Sequence, residues 1–279
     1  MRSAVGFCRM LLAPAPQTGR RLLSAAPPAS VTLIEFLRGA SAAASGQHAP
    51  EAELLLELRP HESHSVLLGD TASDAYDRIA WRRYKSESDA SQAVSRLSSA
   101  SAADDAGCLV LRVEEATPSA LQSLAQGSCE AAALDTAPPA GEGIPSPCPF
   151  VNDPTAQPGA WQALHDVPSA GGMVAMNLLR VPAQVADEYA AYSAHFGGLA
   201  AKYGLRVLAA ATVPAVDQAV VLGSLAPGTS CPTMAVAVGF PSSRVFASAW
   251  SDEAIQHAYG LRAHMYDNGF EHVWLRCDE

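Results

Sequence analysis

Four short segments in the first half of this chain recur, in the same order, in its second half. Leu33-Ile34-Glu35-Phe36-Leu37-Arg38 returns in kind as Ala175-Met176-Asn177-Leu178-Leu179-Arg180, and Val66-Leu67-Leu68-Gly69 returns as Val220-Val221-Leu222-Gly223. Ile79 to Ser86 matches Ala235 to Ser242, and Leu111-Arg112-Val113-Glu114-Glu115 matches Leu275-Arg276-Cys277-Asp278-Glu279. The separations are 142, 154, 156 and 164 residues. They only grow, as expected when the loops and helices of a duplicated module absorb insertions. The repeat therefore dictates an architecture, two copies of one module, and leaves the reaction open.

Residues 1–30 read as an address. They hold four arginines (Arg2, Arg9, Arg20, Arg21), many alanines and serines, and no acid, which is the composition of a mitochondrial transit peptide. A mitochondrial location, in the matrix or on the matrix side of the inner membrane, is the expectation; a chloroplast is the alternative, because its transit peptides share this composition. Without those arginines 14 basic residues face 28 acidic ones, and the formal charge moves from -10 to -14. Nucleic acid is thereby disfavoured as a partner: the one local basic cluster, Arg78, Arg82, Arg83 and Lys85, is expected on the solvent face and end of a strand. No apolar run approaches the ~18 residues of a membrane span. The six cysteines lack metal-ligand spacing, and the five that come after Cys8 suit free thiols better than a disulfide framework.

The carboxy-terminal module, residues 173–279, has the clearer pattern. Met173 to Val181 is apolar on nearly every residue, as a strand covered on both faces requires. Val185, Tyr189, Tyr192, Phe196, Leu199 and Tyr203 then keep helical spacing up to Gly204. Leu205 to Val213 and Gln218 to Leu225 read as strands, one bent strand or two pieces around Pro214, and Thr233 to Phe240 as another. A helical region runs from Ser242 to Asn268, broken near Ser251, whose side chain is expected to cap the segment starting at Asp252, and Glu271 to Asp278 closes the series. Strand, helix, strand, strand, helix, strand is a ferredoxin-like α+β unit with an antiparallel sheet.

The amino-terminal module, residues 31–115, reads as a degenerate copy. Strands are expected over Val31 to Arg38, Ser65 to Asp70, Asp77 to Tyr84 and Cys108 to Glu115, with a short helix over Ala40 to Pro50. Glu51 to Arg59 suits a strand, although Ala52 to Leu58 has helical composition too. Ser86 to Ala103 predicts a helix with Ala90, Val94 and Leu97 inward. Between the modules, residues 116–172 carry nine of the twenty prolines and read as a linker.

Tyr189, Tyr192, Tyr203-Gly204-Leu205-Arg206-Val207-Leu208, Leu222-Gly223, Phe240-Pro241-Ser242, Ala249-Trp250-Ser251 and Leu261-Arg262 together resemble the DUF1330 family of the dimeric α/β barrel superfamily. Leu205 and Leu222 depart from that pattern, which has glycine and often glutamate there. The resemblance implies a sheet that dimerises face to face into a barrel. A lone ferredoxin-like sheet leaves one face bare, several hundred Å² or more of apolar surface. Two copies in one chain predict an intramolecular barrel, with separate units recruiting another chain as the alternative.

Glu35 and Asn177 hold matching places between apolar neighbours, so a face that lines the barrel would enclose both. A carboxylate there is costly unless paired, which makes Glu35 a candidate ligand-binding or functional group; its plain reading is a strand residue facing water at a sheet edge. Arg180 and Arg206 are candidates for an anionic ligand, though each also suits a strand end pairing with acids. Trp250 suits a core anchor or the floor of a small-molecule pocket. His195, like His257, His264 and His272, reads first as a solvated or capping histidine, since no acid sits at metal-ligand spacing beside them. No cofactor is implied. Nothing in the chain has the pattern of a phosphate loop, a nucleophile elbow or a catalytic triad.

Three functions fit. A degenerate repeat, an acidic surface and a proline-rich connector suit a non-enzymatic accessory or assembly subunit of a mitochondrial complex, with other protein subunits as partners. A small-molecule-binding barrel is the alternative. The resemblance adds a third, a cofactor-independent enzyme of monooxygenase or isomerase type with a buried histidine or carboxylate as general base. The absence of a convergent acid–base set favours the first.

Overall fold

The computed structural model describes residues 30–47, 52–58, 65–68, 76–102, 106–115, 173–185, 202–214, 216–223, 232–241 and 270–275, with positions 187–189, 192, 245–246, 249, 252, 254–255 and 257. Residues 1–29 and 116–172, over which a transit peptide and a linker are expected, lie outside these residues.

In the first half, β1 (Val31–Arg38), α1 (Ala40–Gln47), β2 (Ala52–Leu58), β3 (Ser65–Leu68), β4 (Arg78–Tyr84), α2 (Glu87–Ala100) and β5 (Gly107–Glu115) come one after another. The second half supplies β6 (Met173–Leu179), β7 (Arg206–Thr212), a one-turn α3 (Val216–Ala219), β8 (Val220–Gly223), β9 (Met234–Phe240) and β10 (Phe270–Leu275). Helical residues at 187–189, 192, 245–246, 249, 254–255 and 257 occupy the two places where helices are expected. Residues 52–58 are strand, not helix. Gln218 and Ala219, read as strand, belong instead to the turn of helix beyond Pro214, and of the two readings there, one bent strand or two pieces, the chain forms two pieces, β7 and β8.

The strand order is β2-β4-β1-β5-β7-β9-β6-β10-β3, with β8 also on β5. Each half is thus a four-stranded antiparallel sheet of ferredoxin-like order: β5-β1-β4-β2 and β10-β6-β9-β7. The two are sewn together by exchange, because β8 pairs β5 of the first half and β3 pairs β10 of the second. The path both starts and ends in the β2–β3 segment, so the ribbon returns on itself. This is an intramolecular dimeric α/β barrel of the α+β class.

The register shows how faithfully the module was copied. Glu35 faces Ala80 on β4 and Val110 on β5, and Asn177 faces Val236 on β9 and Glu271 on β10. The bulge between Leu54 and Leu56 recurs between Val207 and Ala209, and that between Val110 and Leu111 recurs between Glu271 and His272. Equivalent positions are 142 residues apart in β1/β6, 153 in β2/β7, 154 in β3/β8, 156 in β4/β9 and 161 in β5/β10. The last value corrects the sequence echo of 164: Arg112 corresponds to Val273, not to Arg276. A repeated Leu-Arg dipeptide gave a match three residues out of register, which in a strand also reverses the face.

Both faces of the central strands are buried. One set fills the barrel: Ile34, Phe36, Leu58, Ile79, Trp81, Leu109, Leu111 and Val113 meet Val174, Met176, Leu178, Ala209, Ala211, Ala235 and Ala237 in one cluster. The halves contribute unequally, since Leu58, Ile79 and Trp81 are matched by Ala211, Ala235 and Ala237. The other set, Val31, Leu33, Leu37, Tyr84 and Val110, packs with Ala90, Ala93 and Leu97 of α2. Ser86 caps α2 by accepting from the Asp89 amide at 3.2 Å. Val94 lies at the margin of this layer rather than within it, and Ala93 takes the third inward place.

Candidate functional site

Two-residue alternation places Glu35 with Leu33 and Leu37, on the face covered by α2. Asn177 likewise falls with Leu179, which packs against Tyr189 and Tyr192. Both candidates therefore sit between sheet and helices, and the barrel interior is lined by the opposite set. That corrects the expectation that their face lines the barrel. The solvent-edge reading of Glu35 fails too, since β1 is a central strand and Glu35 is 1% exposed.

A buried carboxylate needs compensation, because the effective penalty for burying one ion is several kcal/mol. β4 supplies it. Tyr84 donates its hydroxyl to Glu35 Oε1 at 2.5 Å, and the Arg82 guanidinium meets Oε2 at 3.4 Å. Arg82 is itself 6% exposed, so the basic cluster read as a solvent face is partly inside. Burial, then the Glu35 charge and hydrogen bond, push the Tyr84 hydroxyl well above its ordinary range, so it stays a donor. Arg78 pairs with Glu57, and Arg83 with Glu53 and Glu115. Thr32 donates to Glu115 as well. The arginines are ion-pair partners within the first unit.

The second unit replaces this arrangement as a set. By register, Glu35, Arg82, Tyr84 and Arg78 correspond to Asn177, Val238, Phe240 and Met234. Asn177 is 7% exposed and donates Nδ2 to the carbonyls of Ala175 (3.1 Å) and Val236 (3.3 Å). Aromatic rings crowd this layer: Tyr189 and Tyr192 lie 5.9 Å apart, and Phe240 meets Phe246 edge-on at 4.8 Å. The Tyr189 hydroxyl reaches Met234 Sδ at 3.7 Å. The layer is thus apolar and aromatic, with one oriented amide.

One staple holds the helical side of this unit. Asp252 accepts from Lys202 and Tyr203, each at 2.5 Å, and from the Ala254 amide at 2.8 Å. The Lys202 and Tyr203 hydrogen bonds depress its carboxyl to about 2. Asp252 thus accepts from the backbone at the start of the segment that follows it, and Ser251, the expected cap, lies outside the described residues. Gly204, at φ +65°, ends the preceding helical segment; a Cβ there would lie 3.5 Å from Pro241.

Of the sequence candidates, Glu35 and Asn177 occupy equivalent rungs of the two sheets. Arg180 is half-buried at the end of β6, and Arg206 is exposed as the counterpart of Glu53. His195 and Trp250 lie outside the described residues. Sequence reading missed Arg82 and Tyr84 as partners of Glu35, although both alternate on β4 toward the same face. It also missed Glu271, which the register sets opposite Asn177; the out-of-register echo hid that pairing. Among the described residues no three His, Cys, Asp or Glu groups converge as a metal site, and no helix is long and apolar enough to cross a membrane.

No family model matches the chain, and no curated relative does. Among solved structures, a mutant chlorite dismutase from Candidatus Nitrospira defluvii is similar at 9% identity and TM-score 0.44, over 89% of this chain and 92% of that one. An anthrone oxidase-like protein is similar at 12% identity and TM-score 0.43, over 89% and 92% of the two chains. At these identities and scores the likeness bears on neither activity nor ligand, and the fold assignment rests on strand order and register.

Proposed function

We propose that this protein is a small-molecule-binding barrel whose ligand enters the layer between the sheet and the helices of the carboxy-terminal unit. The observation that carries the reading is the exchange of a paired charge in one unit for a single oriented amide in the other. Glu35 is neutralised by Arg82 and hydrogen-bonded by Tyr84, whereas Asn177 shares its face of the sheet with Val238 and Phe240 and with Leu179, which packs against Tyr189 and Tyr192. The kinship of residues 173–279 with DUF1330 belongs to the same proposal; two of its motif segments meet where Gly204 approaches Pro241. The test is a metabolite panel screened by thermal shift and native mass spectrometry on the parent protein and on Asn177→Leu. A ligand at a hundredfold above its Kd stabilises by about 2.7 kcal/mol, and the variant should lose that gain. If no metabolite stabilises the parent, the reading fails.

A second reading, an accessory subunit of a mitochondrial complex, is favoured by the barrel interior, which is occupied by side chains of both halves. Native electrophoresis of solubilised mitochondria tests it, with co-migration in a large complex expected. Migration only at the mass of a monomer or dimer overturns it.

A further inference from the structure

Inside the barrel one polar atom stands without a counterpart. The Trp81 side chain belongs to the interior cluster and is 1% exposed, yet its indole N–H has no hydrogen-bond partner. An indole nitrogen can only donate, and the large majority of buried donors in folded proteins are matched. Within the interior cluster only Tyr76 and Met176 carry a side-chain acceptor atom, and neither takes this proton. What would answer Trp81 is an acceptor brought from outside the chain.

The symmetry of the ring fixes what lies opposite. The strand order β2-β4-β1-β5 is followed by β7-β9-β6-β10 in the same sense, so a half-turn about the barrel axis relates the two units. Equivalent residues therefore face one another across that axis at one level. Trp81 faces Ala237, with Ala235 and Ala211 beside it where the first unit has Ile79 and Leu58. This far wall leaves the indole ring its space and presents methyl groups, with no side-chain acceptor, to its N–H. Arg83, the charged residue that β4 places on the same face, is already engaged by Glu53 and Glu115. An ion beside Trp81 would give up its hydration without a free counter-charge from that strand, so the acceptor that fits is carried by a neutral, apolar molecule. We propose that the barrel interior is a binding site, separate from the layer around Asn177, for a small neutral molecule whose carbonyl or ether oxygen accepts from Trp81 Nε1. The chain has one such site, because the equivalent position in the second unit is alanine.

The full chain labelled with nitrogen-15 reports this contact by NMR, since each of its four tryptophans gives one indole resonance and Trp81→Phe identifies the relevant one. Cyclopentanone is the probe, and methylenecyclopentane, of the same shape without the oxygen, is its control. The ketone should move the Trp81 indole proton downfield and bind about tenfold or more tightly than the alkene, as one added hydrogen bond provides. Trp81→Phe should bind the two equally. An indole resonance that ignores the ketone, an alkene bound as tightly, or a preference that survives Trp81→Phe overturns the proposal. So does an indole proton whose cross-relaxation with water persists at saturating ketone, which would make water its partner. Should Trp81→Phe fail to fold, Trp161→Phe, Trp250→Phe and Trp274→Phe assign the resonance by elimination, and the titration of the parent protein decides the matter.

Discussion

The middle rungs of β1 and β6 occupy one place in two copies of a module, yet one is a charged network and the other a lone amide. In the first unit Glu35, Arg82 and Tyr84 hold one another; in the second Asn177, Val238 and Phe240 stand in the same register. The backbone kept its pairing and both its bulges through the divergence, while the side chains changed together. That is the expected course where removing one member of a buried pair costs far more than replacing the set. The barrel interior diverged in a complementary way, bulk on one side and alanine on the other, so that the filled volume is shared unequally between the halves.

The comparison breaks first at its charged end. Arg82→Met should destabilise by roughly 3–5 kcal/mol in urea unfolding, because it strands the Glu35 charge. The triple change Glu35→Asn, Arg82→Val, Tyr84→Phe copies the second unit and should cost well under half as much. Equal losses would mean that the network does not act as a set. Next, Trp81→Ala should cost about 3–5 kcal/mol through a cavity, and Ala237→Val at the equivalent place about 1–3 kcal/mol through overpacking. If Ala237→Val stabilises instead, the interior is not filled there.

The smallest effect lies at Asp252. Its carboxyl falls from an ordinary 3.8 to about 2 in the folded protein, so its stabilising share is full above about 4 and is lost as pH falls through about 2. Urea midpoints of the parent protein and Asp252→Asn should differ at pH 6 and converge as the pH drops from 4 toward 2. A gap that persists unchanged at pH 2 would place the effect in something other than that charge.

Much of the fold is legible in the residues alone, because apolar alternation and repeated segments report strands directly: β1, β4, β5, β6 and β9 fall where the pattern puts them. Two things are hidden. A strand apolar on both faces does not say which face meets helices, so the pattern puts Glu35 and Asn177 on the wrong side. Register is the other, since Leu-Arg at 111–112 and at 275–276 is a coincidence that only hydrogen-bonded partners expose, and it conceals the pairing of Glu271 with Asn177. Local chemistry misleads once as well: four basic residues within eight positions read as surface, where pairing with acids on β1 and β2 draws Arg82 and Arg78 inward.

The strands that the halves lend each other set an order of events. β3 is complete by residue 68, yet its partner β10 begins at residue 270. A newly made chain must carry that unmatched edge through roughly two hundred further residues of synthesis, the kind of distant pairing that slows folding. Its first half has no finished form of its own to wait in, and β10, which supplies the partner of β3, is the clasp that shuts the ring.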